Sequence, residues 1–99
     1  MRRLTLALLL GLTACGGTID ARSYSHACTV DADCVPVTEG DVCAECGCGN
    51  TAIALADKAR FDADKAKLAK SCPLLPHPPC VPCALPAVQC SSGACALKN

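Results

Sequence analysis

The chain has 99 residues, of which 11 are cysteine and two are aromatic, and its nine Lys and Arg balance nine Asp and Glu. A length of this order predicts one small domain. The balanced charge argues against a nucleic-acid partner, because proteins that bind nucleic acids carry a clear basic excess. Burial of a small core leaves little net stability in so short a chain, so we expect the cysteines to stabilise the fold.

Residues 1–14 have the organisation of a lipoprotein signal peptide. The basic pair Arg2 and Arg3 precedes an apolar run over residues 4–12, which is shorter than the roughly 20 residues of a bilayer-spanning helix. The tetrapeptide Leu12-Thr13-Ala14-Cys15 follows and resembles the lipobox of bacterial lipoproteins. The resemblance implies cleavage before Cys15 and lipid attachment to its thiol. A secretory signal that is cut near the same small residues is the alternative.

Residues 15–27 are predicted to be the lipidated cysteine and a flexible tether. After Cys15 this segment contains two leading glycines, no further cysteine and no apolar periodicity. A flexible chain of this length reaches roughly 20 Å. In proteobacterial lipoproteins an aspartate directly after the lipidated cysteine favours the inner membrane, so Gly16 implies, by that resemblance, the outer membrane of a Gram-negative bacterium.

Residues 28–97 are predicted to form a cysteine-rich domain, with residues 98–99 as a tail. Once Cys15 is assigned to lipid, the remaining cysteines are even in number and permit five disulfides in an oxidising compartment. Spacing leaves their pairing open, although cysteines 43, 46 and 48 are too close together to bridge one another easily. The predicted disulfide cysteines are Cys28, Cys34, Cys43, Cys46, Cys48, Cys72, Cys80, Cys83, Cys90 and Cys95.

Within this domain we expect a small disulfide-rich α+β fold with one amphipathic helix over about residues 51–71. Ile53, Phe61 and Leu68 share one side of a helical wheel, and Asn50 or Thr51 can cap the first turn. Exposed charge pairs are expected at i,i+3 spacing. They are Asp57 with Arg60, Asp62 with Lys65, and Asp64 with Lys67.

Short irregular strands and a C-terminal β-hairpin are expected around this helix. Val35 and Val37 alternate as on a short strand, which Pro36 confines to a sheet edge. Residues 87–97 predict a hairpin that turns at Ser91-Ser92-Gly93. Residues 72–86 contain six of the seven prolines and predict a stiff surface loop that is pinned by its cysteines.

Two cysteine motifs suggest metal or redox chemistry as less favoured alternatives. Cys43-x-x-Cys46 and Cys80-x-x-Cys83 have zinc-knuckle spacing, with His26 and His77 as spare ligands. Cys80-Val81-Pro82-Cys83 resembles a thioredoxin-type motif, but the surrounding βαβ pattern is absent. The export signal and the additional cysteines favour disulfides, and we expect no metal and no cofactor.

The proline-rich segment from Cys72 to Cys80 suggests a protease inhibitor as the alternative function. Its length and cysteine boundaries resemble the reactive loop of Bowman–Birk inhibitors, which implies that Leu74 fills the protease's primary pocket, with Leu75 next to it. The family has threonine and serine where Pro73 and Leu75 stand here. A rigid loop of this kind loses little entropy when it binds.

The order of motifs also resembles a family over roughly residues 28–97. An Asp-x-Asp-Cys-Val start, a Cys-x-x-Cys-x-Cys cluster, an Ala-rich helix and a terminal Cys-x-x-Gly-x-Cys hairpin resemble uncharacterised cysteine-rich lipoproteins of myxobacteria-like Gram-negative bacteria. The resemblance implies a lipid-anchored envelope protein. No Ser, His and Asp set has catalytic spacing, so we expect a non-enzyme. Its predicted partners are the membrane, through the lipid on Cys15, and an unidentified protein.

Overall fold

The computed structural model describes residues 17–43, 46–73 and 80–98. Short 3-10 turns lie at Ala21–Ser23, Asp31–Asp33 and Leu55–Asp57. The regular elements are β1 (Thr18–Ile19), β2 (Cys34–Val37), β3 (Gly40–Asp41), β4 (Thr51–Ala54), α1 (Lys58–Ala69), β5 (Val88–Ser91) and β6 (Ala94–Leu97). The predicted α+β class, with one helix and short strands, is confirmed.

The strands of the described residues form three antiparallel pairs, β1 with β3, β2 with β4, and β5 with β6. The last pair is the predicted C-terminal hairpin, in which Cys90 lies opposite Cys95. Its turn residues Ser92 and Gly93 have φ values of 53° and 81°. Two successive positive φ angles match the right-handed twist of paired strands, which explains a glycine at the second position.

The predicted helix is too long at its N-terminal end, because residues 51–54 form strand β4. In this strand Ile53 is fully buried and pairs with Val35 of β2, while Ala52 lies opposite Pro36. The pairing of β2 on one side leaves Pro36 at a sheet edge, as predicted. The α-helix itself begins at Lys58.

Asn50 was predicted as a possible cap of the helix, but its side chain instead connects two loops. Its side-chain Oδ1 accepts a hydrogen bond from Glu39 N at 2.9 Å, and its Nδ2 donates to Glu39 O at 3.0 Å. The Glu39 carboxylate in turn accepts from Ala21 N at 2.8 Å. These hydrogen bonds connect the residue before β4 with the turn at Ala21–Ser23, through Glu39.

Residues 17–24 are folded, which differs from the flexible tether predicted for residues 15–27. Ile19 and Ala21 are buried, and Tyr24 is 8% exposed. The segment is held because β1 pairs with β3, and because Asp20 accepts from Arg22 N at 2.9 Å and closes the following turn. Long-range partners therefore order a segment whose local sequence carries no periodic signal.

The core of the described residues consists of two clusters on either side of β4. The first contains Ile19, Ala21, Tyr24, Val37, Ile53 and Phe61, and the second contains Cys34, Ala52 and Cys95. The two aromatic rings, Tyr24 and Phe61, meet edge to face with centroids 5.0 Å apart. Leu68 packs against the first cluster, so the helical positions Phe61 and Leu68 face the core as predicted.

Five disulfides link the part of the chain before α1 to the part after it. Two of them attach the hairpin, and one attaches the end of the helix to the residue after Val42. The other two hold residues 46 and 48 against residues 80 and 83. The bridges are Cys28–Cys90, Cys34–Cys95, Cys43–Cys72, Cys46–Cys80 and Cys48–Cys83.

Among the described residues, α1 is a 12-residue helix with many charged side chains. No helix in this part of the chain has the length and apolarity needed to cross a membrane.

Candidate functional site

Among the described residues, the most exposed large apolar side chains lie on residues 80–87, which we call the presented segment. Val81 is 79% exposed and Leu85 is 60% exposed. The segment lacks regular secondary structure. Its two cysteines hold it against Cys46 and Cys48. The predicted surface position and attachment through cysteines are therefore confirmed for the described part of this loop, which exposes apolar side chains on a covalently restrained backbone.

The C-terminal end of the presented segment packs on a glycine. Gly49 has φ 86°, and a Cβ atom at this position would lie 2.7 Å from Pro86 Cδ and 3.5 Å from Leu85 Cδ2. The missing side chain therefore lets the Pro86 ring approach the backbone. Leu85 also borders a cavity of about 200 Å³, whose floor includes Val37 and Phe61.

A second cavity, of about 420 Å³, lies between the N-terminal segment and α1. The Tyr24 hydroxyl at its edge donates to Asp64 Oδ2 at 2.6 Å, and the Arg60 guanidinium lies 4.3 Å from the Tyr24 ring centroid. Burial, followed by the hydrogen bond to Asp64, raises the pKa of Tyr24 to about 12. The phenol therefore keeps its proton at neutral pH and acts here as a structural donor.

Other carboxylates close turns. Asp33 accepts from Thr29 N, Thr29 Oγ1 and Val30 N, and these bonds, led by the one from Thr29 N, hold the pKa of Asp33 below its ordinary value. Asp31 accepts from Cys90 N at 2.8 Å and so contacts the hairpin. Asp31 and Asp33 therefore both accept backbone N–H groups.

The charge pairs on α1 differ in part from those predicted. Asp57 contacts Arg60 at 3.0 Å, as expected. It also accepts from Ser25 N at 2.7 Å, which is the first cause of its lowered pKa. Asp62 pairs with Lys58 at 2.6 Å instead of Lys65, and Asp64 accepts from Tyr24 instead of pairing with Lys67. Helical spacing alone does not reveal that Tyr24 approaches Asp64 or that the Lys58 side chain reaches Asp62, so two of the predicted pairs are wrong.

In both motifs considered for zinc binding or redox chemistry, each cysteine forms a disulfide with a cysteine outside its own motif. Cys80 and Cys83 are each bonded to a cysteine of the earlier cluster and not to each other. Cys43 is bonded to Cys72, so neither motif offers the thiolates that zinc binding or thiol exchange requires. The sulfurs of Cys28, Cys34 and Cys95 lie within 4.8 Å of one another, but each belongs to a disulfide.

Several predicted site residues lie outside the described residues. They are the lipidation residue Cys15, the inhibitory-loop residues Leu74 and Leu75, and His77. The boundaries of the inhibitory loop are described: Cys72 is bonded to Cys43 and Cys80 to Cys46. His26 is half-buried, and its carbonyl accepts from Cys95 N at 2.7 Å. The contact of Tyr24 with Asp64 and Arg60 was missed, because a lone tyrosine in a non-periodic segment carries no pairing signal.

Comparisons with known proteins provide no relative from which a function for this site could be transferred. The chain matches no protein-family model, no curated protein and no solved structure.

Proposed function

We propose that this chain is a lipid-anchored cell-envelope protein, whose disulfide-stapled domain is non-enzymatic and offers a rigid surface to another protein. The predicted lipidation residue is Cys15, and the predicted membrane is the outer membrane of a Gram-negative bacterium. The small disulfide-rich domain is observed, whereas the anchor, the location and the partner are parts of the proposal.

The observation that carries the proposal is the pairing of the cysteines. All ten cysteines after Cys15 are bonded to one another in five bridges. Cys15 is thus the odd one of 11. A thioether to lipid would account for its thiol, and an oxidising envelope compartment is where such a set of bridges persists.

The surface and the polar groups support an interaction role. The presented segment exposes Val81 and Leu85 on a backbone that two disulfides restrain. A restrained segment loses less conformational entropy on binding than a mobile one. Asp33 closes a local turn, and Asp57 connects Ser25 N to the start of α1, which supports a structural role for both carboxylates.

The test is the intact mass of the protein extracted from membranes and alkylated without reduction. We expect the mass of the chain from Cys15 onwards plus lipid, with no alkyl adduct. The Cys15→Ser variant should lack the lipid and still resist alkylation. A wild-type protein without lipid would contradict the anchor, and alkyl adducts would contradict the fully bridged domain.

A protease inhibitor is the second candidate, and the anchoring of its loop favours it. The residues on both sides of the proposed reactive loop, Cys72 and Cys80, are bonded to Cys43 and Cys46, which are close in sequence. Both ends of the loop are therefore held by one short stretch of chain. This restraint could preorganise Leu74 and Leu75 for a protease with an apolar primary pocket.

Inhibition assays with chymotrypsin-like and elastase-like proteases test this candidate. The wild-type protein should inhibit, Leu74→Gly should lose inhibition, and Leu55→Gly serves as the control, since Leu55 is an exposed leucine outside the loop. An inactive wild-type protein, or a Leu74→Gly variant that inhibits normally, would eliminate the loop mechanism.

A further inference from the structure

The fold begins very close to the proposed lipidation site. Gly17 is buried, and its carbonyl accepts a hydrogen bond from Val42 N at 2.7 Å. A Cβ atom at Gly17 would lie 3.0 Å from Leu68 Cβ and 3.3 Å from Leu68 O. Gly17 is therefore packed between the loop after β3 and the last turn of α1, and it is a fixed point of the domain.

The chain between this fixed point and Cys15 is too short to act as a tether. Two residue steps separate their Cα atoms, and a fully extended chain covers about 7 Å over that length. A flexible linker of the predicted length would have reached roughly 20 Å. Wherever the lipid enters the bilayer, the side of the domain around Gly17 must lie next to it.

We propose that lipid on Cys15 holds the domain directly on the bilayer, with one defined face against the phospholipid headgroups. This inference rests on the proposed function, because it requires the lipid. We call the surface around the buried Gly17 the anchor face and define it by Val42, Lys67, Leu68 and Lys70. The presence of lipid and the orientation of the domain are separate questions and can be measured separately.

The charge of the anchor face suits a phospholipid surface. Lys67 and Lys70 are exposed at the end of α1, and within the described residues neither belongs to an ion pair. Ammonium groups near the bilayer are attracted to the phosphates of anionic lipids. The neighbouring carboxylate of Asp41 accepts from Cys43 N, and that of Asp64 accepts from Tyr24.

The anchor face is also rigid, so it can set an orientation. The Cys43–Cys72 bridge fixes the end of α1 beside Val42. Backbone bonds from Ser71 N to Leu68 O and from Cys72 N to Ala69 O, both 3.1 Å, close the last turn. The β5–β6 hairpin belongs to the other core cluster, beyond β4, so it is expected to be held away from the bilayer.

Tryptophan fluorescence can measure this orientation, because the chain contains no tryptophan. The reporters are Ser71→Trp, beside the anchor face, and Ser91→Trp, at the exposed end of β5. Both serines are exposed, which makes them a matched pair. The full-length lipidated variants are placed in vesicles of phosphatidylethanolamine and phosphatidylglycerol that contain a nitroxide on the lipid headgroup. We expect loss of fluorescence for Ser71→Trp and none for Ser91→Trp.

A spacer variant and a flotation assay complete the test. A Gly-Ser insertion with a reach of roughly 20 Å, placed between Gly16 and Gly17, should keep the protein on floating vesicles but abolish quenching of Ser71→Trp. Equal quenching of the two reporters on floating vesicles would overturn the orientation and leave the lipid anchor intact. Failure of the wild-type protein to float would instead contradict the proposed anchor. Intact mass verifies that each variant retains its five disulfides.

Discussion

Tyr24 shows how one side chain attaches the N-terminal segment to the helix. Its ring packs on Phe61, its hydroxyl donates to Asp64, and the Arg60 guanidinium lies over its ring. Since the hydroxyl can donate only while it is protonated, the contact depends on the neutral phenol. The cluster therefore couples the position of residues 17–24 to a titration outside the physiological range.

We predict that Tyr24 titrates at about pH 12 in the folded protein, against an ordinary value of 10.0. Since the folded pKa is raised, its stabilising contribution is complete below pH 10 and is lost as the pH rises through about 12. Rapid pH jumps that follow phenolate absorbance can measure this pKa, because the chain has a single tyrosine.

Asp64→Asn should lower the pKa of Tyr24, because it removes a negative charge that opposes the phenolate. Asp62→Asn is the matched control, since Asp62 pairs with Lys58 on another side of the helix. A native protein that titrates near the ordinary value would show that this contact is absent in solution.

At the scale of elements, the sequence predicts the hairpin and most of the helix, but assigns β4 incorrectly. Ala52 contacts one core cluster and Ile53 the other, so both faces of this strand are covered. A strand that is buried on both faces lacks the alternation of apolar and polar residues that identifies a strand. Its alanines instead favour a helix locally, and the pairing with β2 overrides that preference.

The contact of Gly49 with Pro86 holds one end of the presented segment. Gly47 and Gly49 have similar positive φ values, 74° and 86°, but a Cβ atom meets nothing within 4 Å at Gly47 and lies 2.7 Å from Pro86 at Gly49. Gly47→Ala should cost roughly 1–2 kcal/mol, the usual penalty for a left-handed residue. Gly49→Ala should cost more, because Pro86 must also move.

Chemical denaturation of the two glycine variants gives the comparison, since the strain of the backbone is nearly the same in both. The excess cost at Gly49 measures the close packing of the presented segment, chiefly of Pro86, on this residue. Equal destabilisation would contradict the close approach of Pro86 to Gly49 and would leave the presented segment less firmly seated than the structure shows.

At the scale of the whole molecule, the existence of a disulfide framework is predictable from the sequence, and its connectivity is not. Ten cysteines after Cys15 and a thin core point to bridges. Their partners depend on which strands pair, and β4 and the N-terminal segment are where local patterns fail. The orientation of Gly17 on α1 is likewise a tertiary property, so the anchor face is not predictable from the sequence.

The bridges differ in the size of the ring that each one closes while its neighbour stays intact. Cys28–Cys90 closes a ring of residues 28–34 and 90–95 beside Cys34–Cys95, whereas Cys48–Cys83 closes a shorter ring of residues 46–48 and 80–83 beside Cys46–Cys80. Chain entropy predicts losses of about 3 and about 2 kcal/mol, respectively, when each pair is replaced by alanine.

Equilibrium denaturation of these double-alanine variants tests that order. Both cysteines of a bridge are replaced together, so that no free thiol can exchange with the remaining disulfides. A larger loss for the Cys48 and Cys83 variant would contradict the entropic order and would indicate that the bridge near the presented segment stabilises more than its ring.

Each of the five bridges joins a cysteine that precedes α1 in the sequence to one that follows it, and this order affects how the disulfides can form. The chain is made from its N-terminus, and export as proposed above would bring the first five bridging cysteines into an oxidising compartment before any of their native partners. Thiols that oxidise at this stage can join only with one another, and such bonds must later be broken by thiol–disulfide exchange. Maturation is therefore expected to depend on a disulfide isomerase, with an oxidase alone leaving misbridged chains.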